Sequence, residues 1–256
     1  MGLLSSIRSM FSSKPTIDVD QSKSNIVGNK DPICPYCDDE LDKMPGRKKK
    51  CLSCENFIYV RTSPKDKVKI LIREDQIDVI EELWSIENGT HDQYIAEKIE
   101  RAKVKKSLTE KWNLAPSEED IRWSQLSSDL VKHADGYQWG LYRNARLGMG
   151  DILKKKSYDM SALDTYLEVC YIDINGPSNC GTKDPDIFRE YPPFNPKSAF
   201  LAPGVLRYVE VISTKNNLSS IELKERFLKV ATKAARELNL PVKATDAWEK
   251  LVAELS

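Results

Sequence analysis

The sequence has little histidine, no net charge and no long apolar run. Only two of its 256 residues are histidine, and its 39 Lys and Arg residues balance its 39 Asp and Glu residues. This balance removes the whole-chain electrostatic argument for nucleic-acid binding, so such a role must rest on a local basic patch. No apolar run approaches the roughly 20 residues that a membrane-spanning helix needs. Since no cleavable signal pattern is visible, we expect a protein of the reducing cytoplasm.

Recognisable catalytic motifs are also missing. The sequence contains no P-loop, no GxGxxG, no HExxH and no GxSxG. His91 and His133 have no partner at a catalytic spacing, so both are expected at the surface. Cys170 lies on an apolar stripe and should be buried and inert, whereas Cys180 should be exposed without a base to activate it. The sequence therefore predicts a protein that is not an enzyme, with an unrecognised site in the loop 175–197 as an alternative.

Four of the six cysteines form two CxxC pairs. Cys34 and Cys37 make the first pair, and Cys51 and Cys54 follow after 13 intervening residues. Each CxxC turn presents two sulfurs to one point, and the intervening residues suffice for a β-hairpin that brings the pairs together. Four thiolates complete a tetrahedral Zn²⁺ shell without a position for water, which predicts a structural metal. A rubredoxin-type or iron–sulfur site uses the same ligands, and the sequence does not separate it from zinc.

This region resembles the zinc-ribbon family over residues 31–73. The resemblance rests on the knuckle Cys34-Pro35-Tyr36-Cys37, a basic stretch, the knuckle Cys51-Leu52-Ser53-Cys54 and a strand at 57–61. Alternation of apolar residues with lysines predicts a second strand at 67–72. Zinc ribbons occur in transcription factors, ribosomal proteins, nucleases and adaptors, so the family implies a fold without implying a task. The ribbon strand together with the helical region that follows resembles uncharacterised bacterial or phage-type proteins.

A basic patch on the predicted ribbon is the candidate nucleic-acid surface. Its residues are Arg47, Lys48, Lys49, Lys50, Arg61, Lys67 and Lys69. Clustered cations of this kind bind phosphate groups. A zinc ion with four thiolates carries a formal charge of about −2, however, and nearby lysines would offset that charge whatever the function. The patch is also diluted by four neighbouring acids: Asp38, Asp39, Glu40 and Asp42.

From about residue 74 onward the apolar periodicity is helical. Helices are predicted at 75–84, 92–112, 117–130, 137–155, 161–174, 198–214, 219–238 and 244–255, with a long irregular loop at 175–197. Gly150, Ala162 and Tyr166 resemble one tetratricopeptide hairpin, in which the glycine allows close approach and the ring fills the groove between the helices. A generic helical hairpin accounts for the same pattern, and no second copy follows at the spacing of the repeat.

Residues 1–30 are predicted to be a tail that begins with an amphipathic segment and continues as a polar linker. The apolar residues of this segment are Leu3, Leu4, Ile7, Met10 and Phe11. Such a segment docks on the body or on a partner, stays loose, or associates weakly with a membrane.

These patterns together predict an α+β chain made of the tail (1–30), a four-cysteine zinc ribbon (31–73) and a helical domain (74–256). The leading hypothesis is a zinc-binding adaptor whose helical body binds another protein. The alternative is a nucleic-acid-associated protein that uses the basic face of the ribbon.

Overall fold

The computed structural model describes residues 27–255 of the chain, so the predicted amphipathic segment lies outside the described residues. The chain forms two compact units, which divide between Ile99 and Glu100. We call residues 27–99 unit 1 and residues 100–255 unit 2. Unit 1 contains a three-stranded antiparallel sheet, and unit 2 is built from helices. The predicted α+β fold class is therefore confirmed.

The sheet of unit 1 contains the two predicted strands and a short additional one. Strands β1 (Lys49–Lys50), β2 (Phe57–Thr62) and β3 (Lys69–Ile72) pair antiparallel in that order. Val60 lies opposite Leu71 in the pairing of β2 with β3. Strand β3 begins two residues later than the predicted strand at 67–72. The turn before it extends to Lys67, because this residue adopts a left-handed conformation with φ of 60°.

Each face of this sheet buries a separate group of apolar side chains. One group consists of Cys34, Cys51, Ile58 and Leu71. The other consists of Ile70, Ile72 and Ile80, the last of which belongs to helix α1 (Ile77–Glu87). Strand β3 contributes to both groups because consecutive strand side chains point to opposite faces. Helix α1 therefore packs on the sheet within unit 1. The boundary at residue 73 between the zinc ribbon and the helical domain stays a prediction.

Helix α2 (His91–Trp112) contains the boundary between the units and has no buried residue. Charged residues lie on all sides of this helix. Exposed pairs such as Lys106 and Glu110 are one helical turn apart, with 3.9 Å between Nζ and Oε1. A helix that is polar on all sides depends on such local pairs rather than on burial. None of the helices within residues 27–255 is both long and apolar enough to cross a membrane.

Apart from one short helix within the stretch 175–197, which the sequence predicted to be an irregular loop, the helices of unit 2 follow the predicted positions closely. They are α3 (Glu118–Asp135), α4 (Trp139–Lys155), α5 (Asp159–Ile174), α6 (Pro185–Glu190), α7 (Pro203–Lys215), α8 (Ser220–Leu238) and α9 (Ala244–Glu254). The capping box predicted for α8 is present, since Ser219 and Glu222 accept hydrogen bonds from each other's backbone N–H groups. Ser117 caps α3 in the same way. These caps satisfy backbone donors that the first helical turn leaves unpaired.

Helix α5 is the centre of the core of unit 2. Most of its residues are buried, and it packs against α4, α7, α8 and α9. Three aromatic rings of this core contact one another. The ring centroids of Tyr171 and Phe227 are 6.0 Å apart, and those of Phe227 and Trp248 are 5.6 Å apart. A helix that is apolar around most of its circumference is expected at such a buried position.

The hairpin of α4 and α5 depends on the contact between Gly150 and Tyr166. A Cβ atom at Gly150 would lie 2.8 Å from Cε1 of the fully buried Tyr166 ring. The absence of a side chain at Gly150 therefore makes room for the ring, and the Tyr166 hydroxyl donates to Asp151 across 2.8 Å. Ala162 is also fully buried. This arrangement is the close approach that the sequence predicted, and both hairpin interpretations share it.

The stretch 175–197 is more regular than the sequence predicted. It contains the short helix α6, and Ser178 N–H donates to the carbonyl of Pro193 across 2.9 Å. Asn195 N–H donates to the carbonyl of Gly176 across 2.8 Å. Gly176 has φ of +61°, and a Cβ atom there would lie 1.9 Å from the Asn195 oxygen. These backbone bonds fold the loop on itself, an arrangement that local sequence patterns do not encode.

Candidate metal centre

The two CxxC turns adopt the same backbone conformation. In the first, Asp38 N–H donates to the carbonyl of Cys34 across 3.0 Å, and in the second, Glu55 N–H donates to the carbonyl of Cys51 across 3.1 Å. Asp38 and Glu55, each directly after the second cysteine of its pair, are both left-handed, with φ of 58° and 61°. The chain therefore builds two copies of one knuckle, and each copy directs two sulfurs to a common point.

The four sulfurs form one compact cluster. All of them lie within 4.8 Å of one another. The Sγ atoms of Cys34 and Cys54 are 3.8 Å apart, and those of Cys37 and Cys51 are 3.9 Å apart. A tetrahedral ion with metal–sulfur bonds of about 2.3 Å has sulfur–sulfur edges of about 3.8 Å, whereas a disulfide needs about 2.05 Å. The donor set and its spacing therefore fit a metal ion, and these four cysteines could bind one.

One side of the cluster is covered by the sheet. Cys34 and Cys51 are buried beside Ile58 and Leu71, whereas Cys37 is exposed. The first cysteine of each pair is thus more deeply buried than the second, although Cys54 is still half-buried against this group. A metal ion at this position would connect both knuckles to the apolar group of β2 and β3.

Backbone N–H groups of the knuckles point toward the sulfurs. The N–H of Cys54 lowers the pKa of the Cys51 thiol to about 7. At Cys34, burial raises the pKa, and N–H groups of Tyr36 and Cys37 act in the opposite direction. Hydrogen bonds of this kind stabilise the thiolate form that a metal requires.

Two side-chain contacts near the cluster were not anticipated from the sequence. Ser53, in the second knuckle, donates to Asp39, which lies two residues after the first knuckle, so this bond joins the two turns. Tyr36 accepts from Glu74 N–H across 2.9 Å and so ties the first knuckle to the chain beyond β3. Local sequence patterns carry no signal for either contact, because the partners are 14 and 38 residues apart in the chain.

The predicted basic residues divide between the two faces of the sheet. Lys49 lies opposite Ile58 and Lys69 opposite Thr62, which places both on the face of the sulfur cluster. Lys50 lies opposite Phe57, so it belongs to the other face, which Arg61 shares. Arg47 is exposed.

Several of these cations have partners within the chain. Lys48 lies 4.4 Å from the ring centroids of both Phe57 and Tyr59, a cation–π arrangement. Lys50 pairs with Glu55 at 3.1 Å, and Lys67 pairs with Glu87 at 3.3 Å. The predicted patch therefore does not form one uninterrupted basic surface, and its role in nucleic-acid binding stays a prediction.

The remaining sequence candidates lie in varied surroundings. Burial raises the pKa of Cys170 to about 12, and this residue is fully enclosed as predicted. Cys180 is half-buried rather than exposed and lies 3.5 Å from the carbonyl oxygen of Tyr137. Both histidines are half-buried, which differs from the expected surface position.

His91 contacts a serine, but the hydrogen bonding does not activate that serine. His91 Nδ1 lies 3.1 Å from Ser85 Oγ. The same Oγ donates its proton to the carbonyl of Glu82 across 2.6 Å. Because the Ser85 hydroxyl already donates its proton to the backbone, it accepts a hydrogen bond from the His91 ring. This contact holds the start of α2 against α1.

Comparison with protein-family models, with curated proteins and with solved structures finds no significant match for this chain. The resemblance to zinc ribbons therefore depends on the cysteine spacing and on the geometry of the sulfur cluster.

Proposed function

We propose that the protein is a non-enzymatic adaptor of the cytoplasm that holds a structural zinc ion in unit 1 and binds another protein through its helical body. The observation that carries the zinc assignment is the sulfur cluster, whose 3.8 Å and 3.9 Å edges fit a four-thiolate ion. Four protein ligands leave no vertex for water or substrate, which favours a structural role. The metal supplies stability to a unit whose apolar groups are small.

Metal content of the purified protein tests this assignment. We expect about one zinc per chain in protein expressed without added metal, by plasma mass spectrometry. Cys34→Ser should lower this content strongly, whereas Cys180→Ser, which leaves the cluster intact, should keep it. Iron in place of zinc would identify the rubredoxin-type alternative, and less than half an equivalent of any metal would contradict the proposal.

Partner binding is supported by exposed apolar side chains in unit 2. Tyr191 is 59% exposed and Phe200 is 70% exposed, and Ile187 of α6 is 42% exposed. These three residues fall within 14 positions of the sequence, around the loop that folds on itself. Exposed aromatic residues carry much of the energy in protein–protein contacts. The hairpin of α4 and α5, with its tetratricopeptide-like Gly150 and Tyr166, would be the rigid support of this surface.

An affinity purification from native cells tests the partner-binding role. We expect a protein partner that is retained after nuclease treatment and at 0.5 M salt, where interactions that depend on phosphate charge weaken by orders of magnitude. Tyr191→Ser with Phe200→Ser should reduce recovery of this partner. The matched control is Val211→Ser with Ile221→Ser, which changes exposed apolar residues elsewhere in unit 2. Equal loss in both variants, or loss on nuclease treatment, would contradict the proposal.

The nucleic-acid alternative has one specific observation in its favour. Within residues 27–255, several of the candidate cations form no ion pair with an acid: Arg47, Lys48, Lys49, Arg61 and Lys69. If they bind phosphates, changing Lys48, Lys49 and Lys50 to Glu should weaken binding to single-stranded DNA or RNA, and affinity should fall steeply with salt. Indifference to both changes would exclude this function.

A further inference from the structure

Unit 2 contains a groove of about 550 Å³ that the proposed function does not use. Side chains of α4, α5 and α8 line it, and none of them belongs to the exposed surface around Tyr191 and Phe200. Because α5 packs against both α4 and α8, it forms the floor of the groove and the other two helices form its walls. The volume lies within the range of sites that bind small molecules.

The charged residues that line this groove carry more positive than negative charge. They are four cations and three acids: Arg146, Lys229, Lys233, Arg236, Asp164, Glu168 and Glu237. Each of the acids already has a cationic partner. The pairs are Arg146 with Glu168, Arg226 with Asp164 at 3.2 Å, and Lys233 with Glu237 at 4.0 Å.

Two cations of α8 are left without an acid. Within residues 27–255, neither Lys229 nor Arg236 forms an ion pair, and both are exposed along the wall of the groove. They lie seven residues apart, which places them two helical turns apart on one face of the helix. An occupant that complements this wall should therefore carry negative charge.

The opposite wall, formed by α4, offers hydrogen-bond donors. Arg146 donates from Nε and Nη2 to Glu168, and Nη1 lies 3.6 Å from Sδ of Met149. A guanidinium group has five N–H bonds, so two of those in Arg146 are left for an occupant. The half-buried Tyr142 hydroxyl has no hydrogen-bond partner within residues 27–255, and burial raises its pKa. This hydroxyl therefore keeps its proton at neutral pH and donates it.

We propose that this groove binds a small organic dianion, either a phosphate monoester or a dicarboxylate. Lys229 and Arg236 supply two positive charges from α8, while Arg146 and Tyr142 donate hydrogen bonds from α4. Hydrogen bonds between charged groups are stronger than neutral ones, which favours two negative charges over one. The site uses neither the sulfur cluster nor the exposed surface around Tyr191, so it can fail while the proposed function stands, and the reverse.

Isothermal titration calorimetry of the full-length, metal-loaded protein at low ionic strength tests this proposal. The probes are phenyl phosphate, succinate and acetate, of which only the first two are dianions. We expect one dianion per chain with a Kd of about 1 mM, and acetate about tenfold weaker. Tighter binding of phenyl phosphate would identify a phosphate monoester as the ligand, and tighter binding of succinate a dicarboxylate. Failure of both dianions to bind, or equal affinity for acetate, would overturn the proposal.

A pair of charge variants locates the binding in the groove. Lys229→Gln with Arg236→Gln removes two exposed cations, so the fold should be kept while the affinity for the dianion falls by about tenfold. Lys224→Gln with Arg207→Gln is the matched control, since it removes the same charge from exposed positions outside the groove. This control should leave the affinity unchanged. Equal weakening in both variants would show that binding follows net charge, and it would overturn the groove as the site.

A third variant tests the wall formed by α4 without changing any charge. Tyr142→Phe removes the hydroxyl and keeps the ring, so we expect affinity to fall by about fivefold through loss of one hydrogen bond. Tyr158→Phe, at a residue that is 59% exposed and lies outside the groove, should have no effect. Unchanged affinity in Tyr142→Phe would overturn a site that spans α4 and α8.

Discussion

The buried apolar residues of unit 1 and unit 2 are arranged differently. In unit 1 the sheet separates two small groups, one beside the sulfur cluster and one beneath α1. In unit 2 one large group extends from α5 to α7, α8 and α9 and includes Tyr171, Phe227 and Trp248, and a smaller group joins α3 to α4. A continuous core removes more apolar surface from water for each residue that folding orders.

This difference implies different sources of stability. The helices of unit 2 are held by burial, so their stability depends on how well side chains fill the core. Unit 1 buries less apolar surface, so under the proposed function a metal ion bound by its four cysteines supplies the free energy that holds the two knuckles in place. Perturbing the metal and perturbing the core should therefore affect different parts of the chain.

The largest expected effect follows removal of the metal. Stripping it with a chelator, or changing Cys34→Ser, should unfold unit 1 because metal binding in such modules contributes about 10–16 kcal/mol. Hydrogen exchange measured by mass spectrometry should show lost protection at 57–72 and retained protection at 159–174. Cys180→Ser should change neither region. Simultaneous loss of protection in both regions would show that the units do not fold independently.

The next largest effect is expected from the core of unit 2. Phe227 is fully buried between Tyr171 and Trp248, so Phe227→Ala should lower the free energy of unfolding of unit 2 by about 3–5 kcal/mol. Guanidinium denaturation followed by circular dichroism measures this change, and metal content should stay at one equivalent. Val211→Ala, at an exposed residue of α7, should change stability by less than about 0.5 kcal/mol. Metal loss in Phe227→Ala would contradict the conclusion that unit 1 and unit 2 are stabilised independently.

A smaller effect is expected at the hairpin of α4 and α5. The methyl group of Gly150→Ala would lie 2.8 Å from the Tyr166 ring, which is buried and cannot move aside freely. This overpacking should cost about 1–3 kcal/mol, although alanine favours helix. Gly204→Ala in α7, where no atom lies within 4 Å of the added carbon, is the control and should be neutral or stabilising. Thermal unfolding of the two variants gives the comparison.

The smallest effect is expected at the knuckle turns. Asp38 has φ of 58°, a conformation that a β-branched residue adopts poorly, so Asp38→Val should weaken metal affinity by about 1–2 kcal/mol. Competition with a chromogenic chelator measures this affinity. Asp42→Val changes a nearby exposed acid that lacks this conformation, and it should have no effect. Equal weakening in both variants would indicate that charge near the metal, rather than backbone strain, is responsible.

Much of the architecture could be predicted because it depends on local patterns. Periodicity located the long helices of unit 2 to within a few residues, and Ser219 with Glu222 marked the start of α8 correctly. Cysteine spacing identified the four members of the sulfur cluster. Helix α6 and the internal bonds of the stretch 175–197 were missed, because those bonds join residues such as Gly176 and Asn195 that are far apart in sequence. Local propensity carries no information about such pairs.

The faces on which the basic residues lie also depended on tertiary structure. Lys48, Lys49 and Lys50 are consecutive in sequence and read as one patch, but the register of β1 against β2 sends Lys49 to the sulfur side and Lys50 to the other. Lys48 then meets the rings of Phe57 and Tyr59. A charge run in sequence therefore overstates the charge that one surface presents.

By itself, the amino-acid sequence determined the helical periods, the helix caps and the cysteine pairs, because each depends on residues within a few positions of one another. Only the tertiary structure decided that the sulfurs of distant knuckles lie 3.8–3.9 Å apart, that Gly150 admits the ring of Tyr166, and that α4, α5 and α8 line one groove. These features arise where separate elements pack, and packing is set by the summed shape of many side chains rather than by any single stretch of sequence.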